Sequence, residues 1–368
     1  MILLKDIYNE EFLSSLAKEI SIYDYCFNQD NFIKSLINND WERRELKDRM
    51  REITVSINDH LTATTLKGKI EILKKTSLGI TKCKNSGLSL IIFPDFIEKY
   101  CEEEDYALAI PALEFFTSIA SSEFAIRKFI EIDQTKSFIH LDKFSKSQDY
   151  HVRRLASEGC RPLLPWANRL NNLKNNPEPI IKILENLKFD SELYVRRSVA
   201  NNLNDISKNQ PDLVIKLLKK WKKQKVDPFI IKHALRTLLK QGNVDALSII
   251  GIKTDKKDQK YSIKDFSLEK KQINLGENLV FSFALLNLEP NNKIRLEYGV
   301  HFLKKNGTLN KKVFQITTKD FEKGDFPIRK KHLFKDFTTR KHYEGQHMIE
   351  LLANGRMVTK INFDLKIN

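Results

Sequence analysis

The sequence predicts a mainly α fold: a superhelix of helical repeats over residues 1–252, followed by a small all-β sandwich over residues 261–368. Three observations predict it. From Leu4 to about Leu247 apolar residues recur at three- and four-residue spacing, the period of a helix with one buried face. Within that stretch one segment returns at a spacing typical of helical-hairpin repeats. After Gly251 the period falls to two, the period of a strand.

A chain of 368 residues with 41% hydrophobic content is long enough to bury two cores, so no disulfide or metal is needed to hold it. In the helical part, breaks fall at Asn28-Gln-Asp-Asn31, Asn58-Asp59, Lys84-Asn-Ser-Gly87, Ser145-Lys-Ser-Gln-Asp149, Asn175-Asn-Pro-Glu-Pro179 and Gln210-Pro211. Helices of roughly 10–18 residues joined by short turns follow from these punctuations. Tyr150-His-Val-Arg-Arg-Leu-Ala156 matches Tyr194-Val-Arg-Arg-Ser-Val-Ala200, with Val152 and Val195 43 residues apart. Ile231-Lys-His-Ala-Leu235 is a weaker third copy, and Leu108-Ala-Ile-Pro-Ala-Leu113 an upstream one without arginines. All-helical periods near 40 residues predict HEAT-like hairpins, each burying its apolar faces against its neighbours.

Lys253-Thr-Asp-Lys-Lys-Asp-Gln-Lys260 has the composition of a linker. Beyond it, Ile294–Phe302 and Ile361–Ile367 alternate apolar and polar residues, as half-buried strands do. Asn306-Gly307 and Asn354-Gly355 are the dipeptides of tight hairpin turns. About seven strands in about 110 residues predict an immunoglobulin-like sandwich, without the cysteine pair of antibody domains.

Several function classes are excluded. The first twenty residues carry charges every few positions and lack the layout of a signal peptide. No apolar run reaches the roughly 18 residues needed to span a bilayer, so a cytoplasmic protein without membrane contact is expected. Cys26, Cys83, Cys101 and Cys160 are scattered and read as reduced, ordinary residues. His151, His233, His301 and His332 lack metal-site spacing, and phosphate-cradling glycine loops are absent, so neither a metal nor a cofactor is expected.

The formal charge is +15, with 24 Lys+Arg against 14 Asp+Glu in residues 253–368 and 39 against 34 in residues 1–252. Such an excess suits nucleic acid or an anionic membrane surface, or serves solubility. Placed on a helix, Arg154 and Glu158 share one stripe at i, i+4, and Arg197, Asn201 and Asp205 share the equivalent stripe of the next copy. Arginines in register, with planar multi-donor heads, suit phosphate oxygens, whereas an isolated Arg154–Glu158 pair is worth only about 0.3–0.5 kcal/mol. Pro162 and Pro165 end the helix and set Trp166 near the stripe, as a packing anchor or as a platform for a base. The run Arg329-Lys-Lys-His332 and the pair Lys341-His342 read as a solvated edge or a DNA-contacting loop.

The segment His151-Val-Arg-Arg-Leu-Ala-Ser-Glu-Gly-Cys-Arg-Pro-Leu-Leu-Pro-Trp-Ala167 resembles the signature of the AlkC branch of the AlkC/AlkD DNA alkylation-repair glycosylases. The resemblance extends to Leu4–Glu10, Trp41–Lys47, Ser121–Arg127 and Ser198–Ile206, and the branch includes members with an appended immunoglobulin-like domain. It implies a monomeric, cofactor-free hydrolase acting on double-stranded DNA that contains alkylated bases such as 3-methyladenine and 3-methylcytosine. It implies Glu158 as the carboxylate beside the scissile sugar, Glu123 and Asp205 as companion acids, and Arg154 and Trp166 as groups that orient the lesion nucleotide. Arg161, with Arg197 and Lys232, is expected among the DNA contacts. Where the family commonly has Arg-Pro-Arg-Leu-Pro-Trp, this chain has Arg161-Pro-Leu-Leu-Pro-Trp166, one basic contact fewer. The rival readings are a non-catalytic repeat protein that binds DNA structures and a protein–protein scaffold.

Overall fold

The computed structural model describes residues 3–38, 40–81, 87–255, 259–337 and 340–367. Cys83, the turn at 84–86 and the centre of the lysine-rich linker, 256–258, lie outside the described residues. Two compact units divide the chain, Met1–Asn209 and Gln210–Asn368. Helix gives way to strand later, between Val244–Ile249 and Tyr261–Leu268. The boundary expected near residue 252 follows secondary structure, whereas the helices from Pro211 to Ile249 share a compact unit with the strands.

The first unit is built of packed helices throughout. The helix Tyr150–Glu158 shows how. Asp149 caps it, its side chain accepting from the His151 amide at 2.8 Å, which satisfies one of the donors that a helix start leaves open. Val152, Leu155 and Ala156 fall on one face and are buried against the helices Gln134–Phe144, Glu178–Leu187 and Leu193–Ile206. The seam to Leu193–Ile206 is close and polar at its centre: Ser157 and Ser198 hydroxyls meet at 2.7 Å, and Asn202 Nδ2 donates to the Ser157 carbonyl at 2.8 Å. Apolar packing supplies most of the stabilisation, and these buried hydrogen bonds fix the register between the two repeats.

The second unit carries β1 (Tyr261–Leu268), β2 (Gln272–Asn274), β3 (Asn278–Asn287), β4 (Asn292–Leu303), β5 (Leu309–Phe321), β6 (Gly324–Leu333), β7 (Gly345–Ala353) and β8 (Arg356–Lys366). They form two sheets, ordered β1-β3-β6 and β2-β8-β7-β4-β5, around a shared core that includes Phe281, Phe283, Val300, Phe334, Leu351 and Phe363. Pairing is antiparallel apart from β2 on β8. The short β2 is the strand that brings the described total to eight rather than seven.

The β7–β8 turn is Asn354-Gly355 as expected, with φ of +49° and +76° at its two residues. Only glycine fits at Gly355, because a Cβ there would meet Gly242 Cα at 2.6 Å. Expected to be half-buried, β4 is buried on both faces. Arg295 and Glu297 pair with each other, and His301 and Lys311 both pair with Glu350, so the charges of the polar face are matched while covered.

Both basic runs of the sandwich turn out to be partly interior. His332 packs its ring against Phe302, Phe314 and Phe334 and meets the Tyr298 hydroxyl at 3.0 Å. His342 is buried beside Asp336, while Arg329 stays outside, paired with Glu269. Burial, then the nearby Arg340, His342 and Lys312 charges, push the His332 imidazole down to about 4.

Two outcomes follow. A Cβ on Gly159, just past Glu158, would stand 2.5 Å from Ile126 Cγ2, a buried branched methyl with no room to yield. Gly159→Ala is therefore expected to cost about 1–3 kcal/mol, read from the urea midpoint. His332 refuses a proton that the unfolded chain accepts below about pH 6.5, so its contribution is complete above that pH and is lost as pH falls towards 4, by at most about 3 kcal/mol. The fall in urea midpoint between pH 7 and pH 5, followed by circular dichroism, should shrink in His332→Leu; an equal fall would contradict this.

Candidate functional site

The two arginines of each Val-Arg-Arg copy do different work. Arg153 Nη1 donates to the carbonyls of Ser147 and Gln148 at 3.0 and 2.9 Å, and Arg196 Nη1 to those of Asp190 and Ser191 at 2.9 and 2.6 Å. Each first arginine thus folds back onto the turn before its own helix. Arg153 also forks onto Asp190 at 2.6 and 3.1 Å, joining one repeat to the next. Only the second arginine of each copy is left to face a ligand.

Arg154 is such a residue, and it is already surrounded. Its Nη1 donates to Ser121 Oγ at 2.7 Å and pairs with Glu123, and its Nη2 lies 3.5 Å from Glu158 Oε1. The Tyr194 ring packs 4.8 Å from its guanidinium carbon, within reach of a cation–π attraction. Arg197, its counterpart in the next copy, is exposed.

Beyond Glu158 the chain turns and sends Arg161 back. Its Nη1 donates to Glu158 Oε1 at 2.6 Å and its Nε to Asp205 Oδ2 at 2.9 Å, while Lys208 Nζ stands 3.2 Å from Asp205 Oδ1. Burial lowers the Arg161 pKa, but Glu158 and Asp205 more than offset this, so the guanidinium is held above the ordinary arginine value. The side chain, of which a DNA contact was expected, is 8% exposed and clamped between two acids.

The result is a line of alternating charge: Glu123, Arg154, Glu158, Arg161, Asp205, Lys208. The three acids predicted from the sequence are thereby brought into one cluster. Their side chains are 15%, 6% and 2% exposed in the order Glu123, Glu158, Asp205, so burial of the acids deepens along the line. Such a set can present a fixed carboxylate to a cation or a water molecule without rearranging. Among the described residues no three His, Cys, Asp or Glu side chains are placed so that they could hold a metal ion.

Trp166 lies elsewhere on the same unit. It is 62% exposed and holds a φ of +64°, a left-handed conformation that costs an ordinary residue about 1–2 kcal/mol. Two cations stake its loop down: Arg127 donates to the carbonyls of Gly159 and Arg161 at 2.9 and 2.8 Å and to that of Asn168, and Lys47 donates to that of Trp166. Trp166 and Phe124 line a cavity of about 490 Å³, whereas Arg154 and Tyr194 line another of about 240 Å³ with Ser121 and His151. The two groups expected to orient a ligand together face different hollows. Lys232 is exposed on the helix Pro228–Ala234 of the second unit.

Sequence reasoning missed Tyr194, Ser121, Arg127 and Lys208. Tyr194 had no signal in the repeat, since its counterpart at the 43-residue spacing is His151 rather than Tyr150. Arg127 had none, because a guanidinium that serves backbone carbonyls leaves no pattern in a sequence.

No helix among the described residues is long and apolar enough to cross a membrane. Residues 102–238 match the family described as "DNA alkylation repair enzyme", and residues 262–367 match "Uncharacterised protein YhaZ, C-terminal Ig-like domain". The chain is 41% identical to the uncharacterized protein YhaZ of Bacillus subtilis (strain 168) over 364 residues, covering 98% of this chain and 99% of that one. Its fold matches the Pseudomonas fluorescens alkylpurine DNA glycosylase AlkC bound to DNA containing an abasic site analog, with a TM-score of 0.92 and 33% identity over 99% of this chain and 100% of that chain. Agreement at this level across both helical and β parts is agreement in architecture and sequence at once, and the chain belongs to the AlkC branch of the DNA alkylation repair enzymes.

Proposed function

We propose that the protein is a DNA glycosylase that hydrolyses the N-glycosidic bond of cationic alkylated bases, such as 3-methyladenine and 3-methylcytosine, in double-stranded DNA. The observation that carries this reading is the line of acids and arginines centred on Glu158, in a chain that shares its whole fold with an alkylpurine glycosylase bound to abasic DNA.

A base alkylated on a ring nitrogen carries positive charge and needs no general acid. As the bond from C1′ breaks, its electron pair leaves with the base, which becomes neutral, and the sugar takes on oxocarbenium character. A carboxylate beside C1′ stabilises that charge and accepts the proton of the attacking water. Glu158 suits this role because Arg154 and Arg161 hold it in one place, with Glu123 and Asp205 as the companion acids that hold the arginines. Water rather than an amine is the nucleophile in this proposal. Lys208 is engaged with Asp205 and Lys47 with the Trp166 carbonyl, which supports a monofunctional enzyme.

Arg154 and the exposed Arg197 supply phosphate contacts, and Trp166 offers an aromatic face to an opened duplex. Chromatography of bases freed from methylated DNA tests the reading. Glu158→Gln keeps the shape of the side chain and should lower the single-turnover rate of base release by about 10²–10³-fold while binding to abasic DNA stays within a few-fold. Unchanged release would overturn the assignment of Glu158, and no release by the wild-type protein would overturn the function.

A further inference from the structure

In the second unit, the helices Pro228–Ala234 and Arg236–Lys240 lie beside β4 and β5 and leave a cavity of about 330 Å³. Its lining holds Lys232, His233, Arg236, Lys240 and Arg295 and no carboxylate. Phe229 and His233 stack in parallel at 5.3 Å to form one wall.

Arg295 shows how unusual the site is. Its side chain is 3% exposed, Nη1 serves Gln315 at 3.1 Å and Thr318 at 3.2 Å, Nη2 serves Glu297, and Nε is buried with no hydrogen-bond partner. Glu297 answers the charge of Arg295 and is itself buried, so it offers nothing to the lysines of the cavity. Lys232 and Lys240 have no carboxylate partner among the described residues. On β5 nearby, burial and then the Arg340 and Lys240 charges hold the Lys312 ammonium below its ordinary value, a sign that like charges crowd this region. Like charges gathered at a concave surface repel unless an anion joins them, and a lone buried N–H donor costs about 1–3 kcal/mol unless an acceptor reaches it.

We propose that this cavity is a phosphate seat that takes one nucleotide unit, with the phosphate against Lys232, Lys240 and Arg295 and the base or sugar against Phe229. It rests on the proposed function only in that DNA is the nearest source of such a phosphate; a free nucleotide is the other. The exposed face of β6 is a poorer site, because Arg329 there is already paired with Glu269 and His332 faces inwards.

The test uses the full-length protein and the double substitution Lys232→Gln with Lys240→Gln, two exposed positions whose exchange should leave the urea midpoint unchanged. Binding to an unmodified duplex is followed by anisotropy against salt, and binding of dAMP by calorimetry. Loss of this one phosphate contact should lower the slope of log K against log salt by roughly 0.9. That result assigns the seat to the DNA backbone. An unchanged slope with loss of dAMP binding assigns it to a free nucleotide. If the folded variant matches the wild type in both, the proposal is overturned. A wild-type protein that binds no duplex would overturn the proposed function alone, and the dAMP titration would still decide the seat.

Discussion

The candidate site depends on one buried interaction, the fork of Arg161 between Glu158 and Asp205. Both carboxylates are buried, and like charges held away from water conflict unless a cation stands between them. The guanidinium removes that conflict and also sets geometry, since it binds an acid at the end of one repeat and an acid inside the next. Breaking such a pair leaves a buried charge unmatched, typically at about 3–5 kcal/mol. The rest of the site is arranged to keep the fork in place. Ser157 and Asn202 lock the two helices in register, and Arg127 pins the loop that carries Arg161.

This arrangement separates structural from available charge. Arg153, Arg196, Arg127 and Arg161 are all spent on the protein itself, on backbone carbonyls or on neighbouring acids. A chain can therefore be strongly basic and still present few cations to a ligand at this cluster. Arg154 stands between the two classes, tied to Glu123 and Glu158 yet bordering an open hollow beside Tyr194.

Much of this was legible in the sequence, for physical reasons that also explain the rest. The helical period, the repeat and the change at Gly251 report burial, which is what hydrophobic patterning encodes, and the architecture follows. The Arg154–Glu158 pair was legible because a helix fixes its geometry at i, i+4. The clamp made by Arg161 was not legible because the residue lies in a proline-bounded loop, where spacing says nothing about direction, and a buried arginine looks like an exposed one. The first arginines of the repeats had no role legible in the sequence: a repeated residue signals a repeated environment, and here that environment is the preceding turn. On β4 the alternation was real, but its polar face proved to be covered.

If Arg161 works only by holding Glu158, the two residues form one functional unit, and a double-mutant cycle on the single-turnover rate of base release measures that directly. Arg161→Gln alone should slow release by roughly 10²-fold, yet added to Glu158→Gln it should cost almost nothing more. Losses that multiply in the double variant would mean that Arg161 serves the reaction independently, and that the acid clamp is not what makes the site.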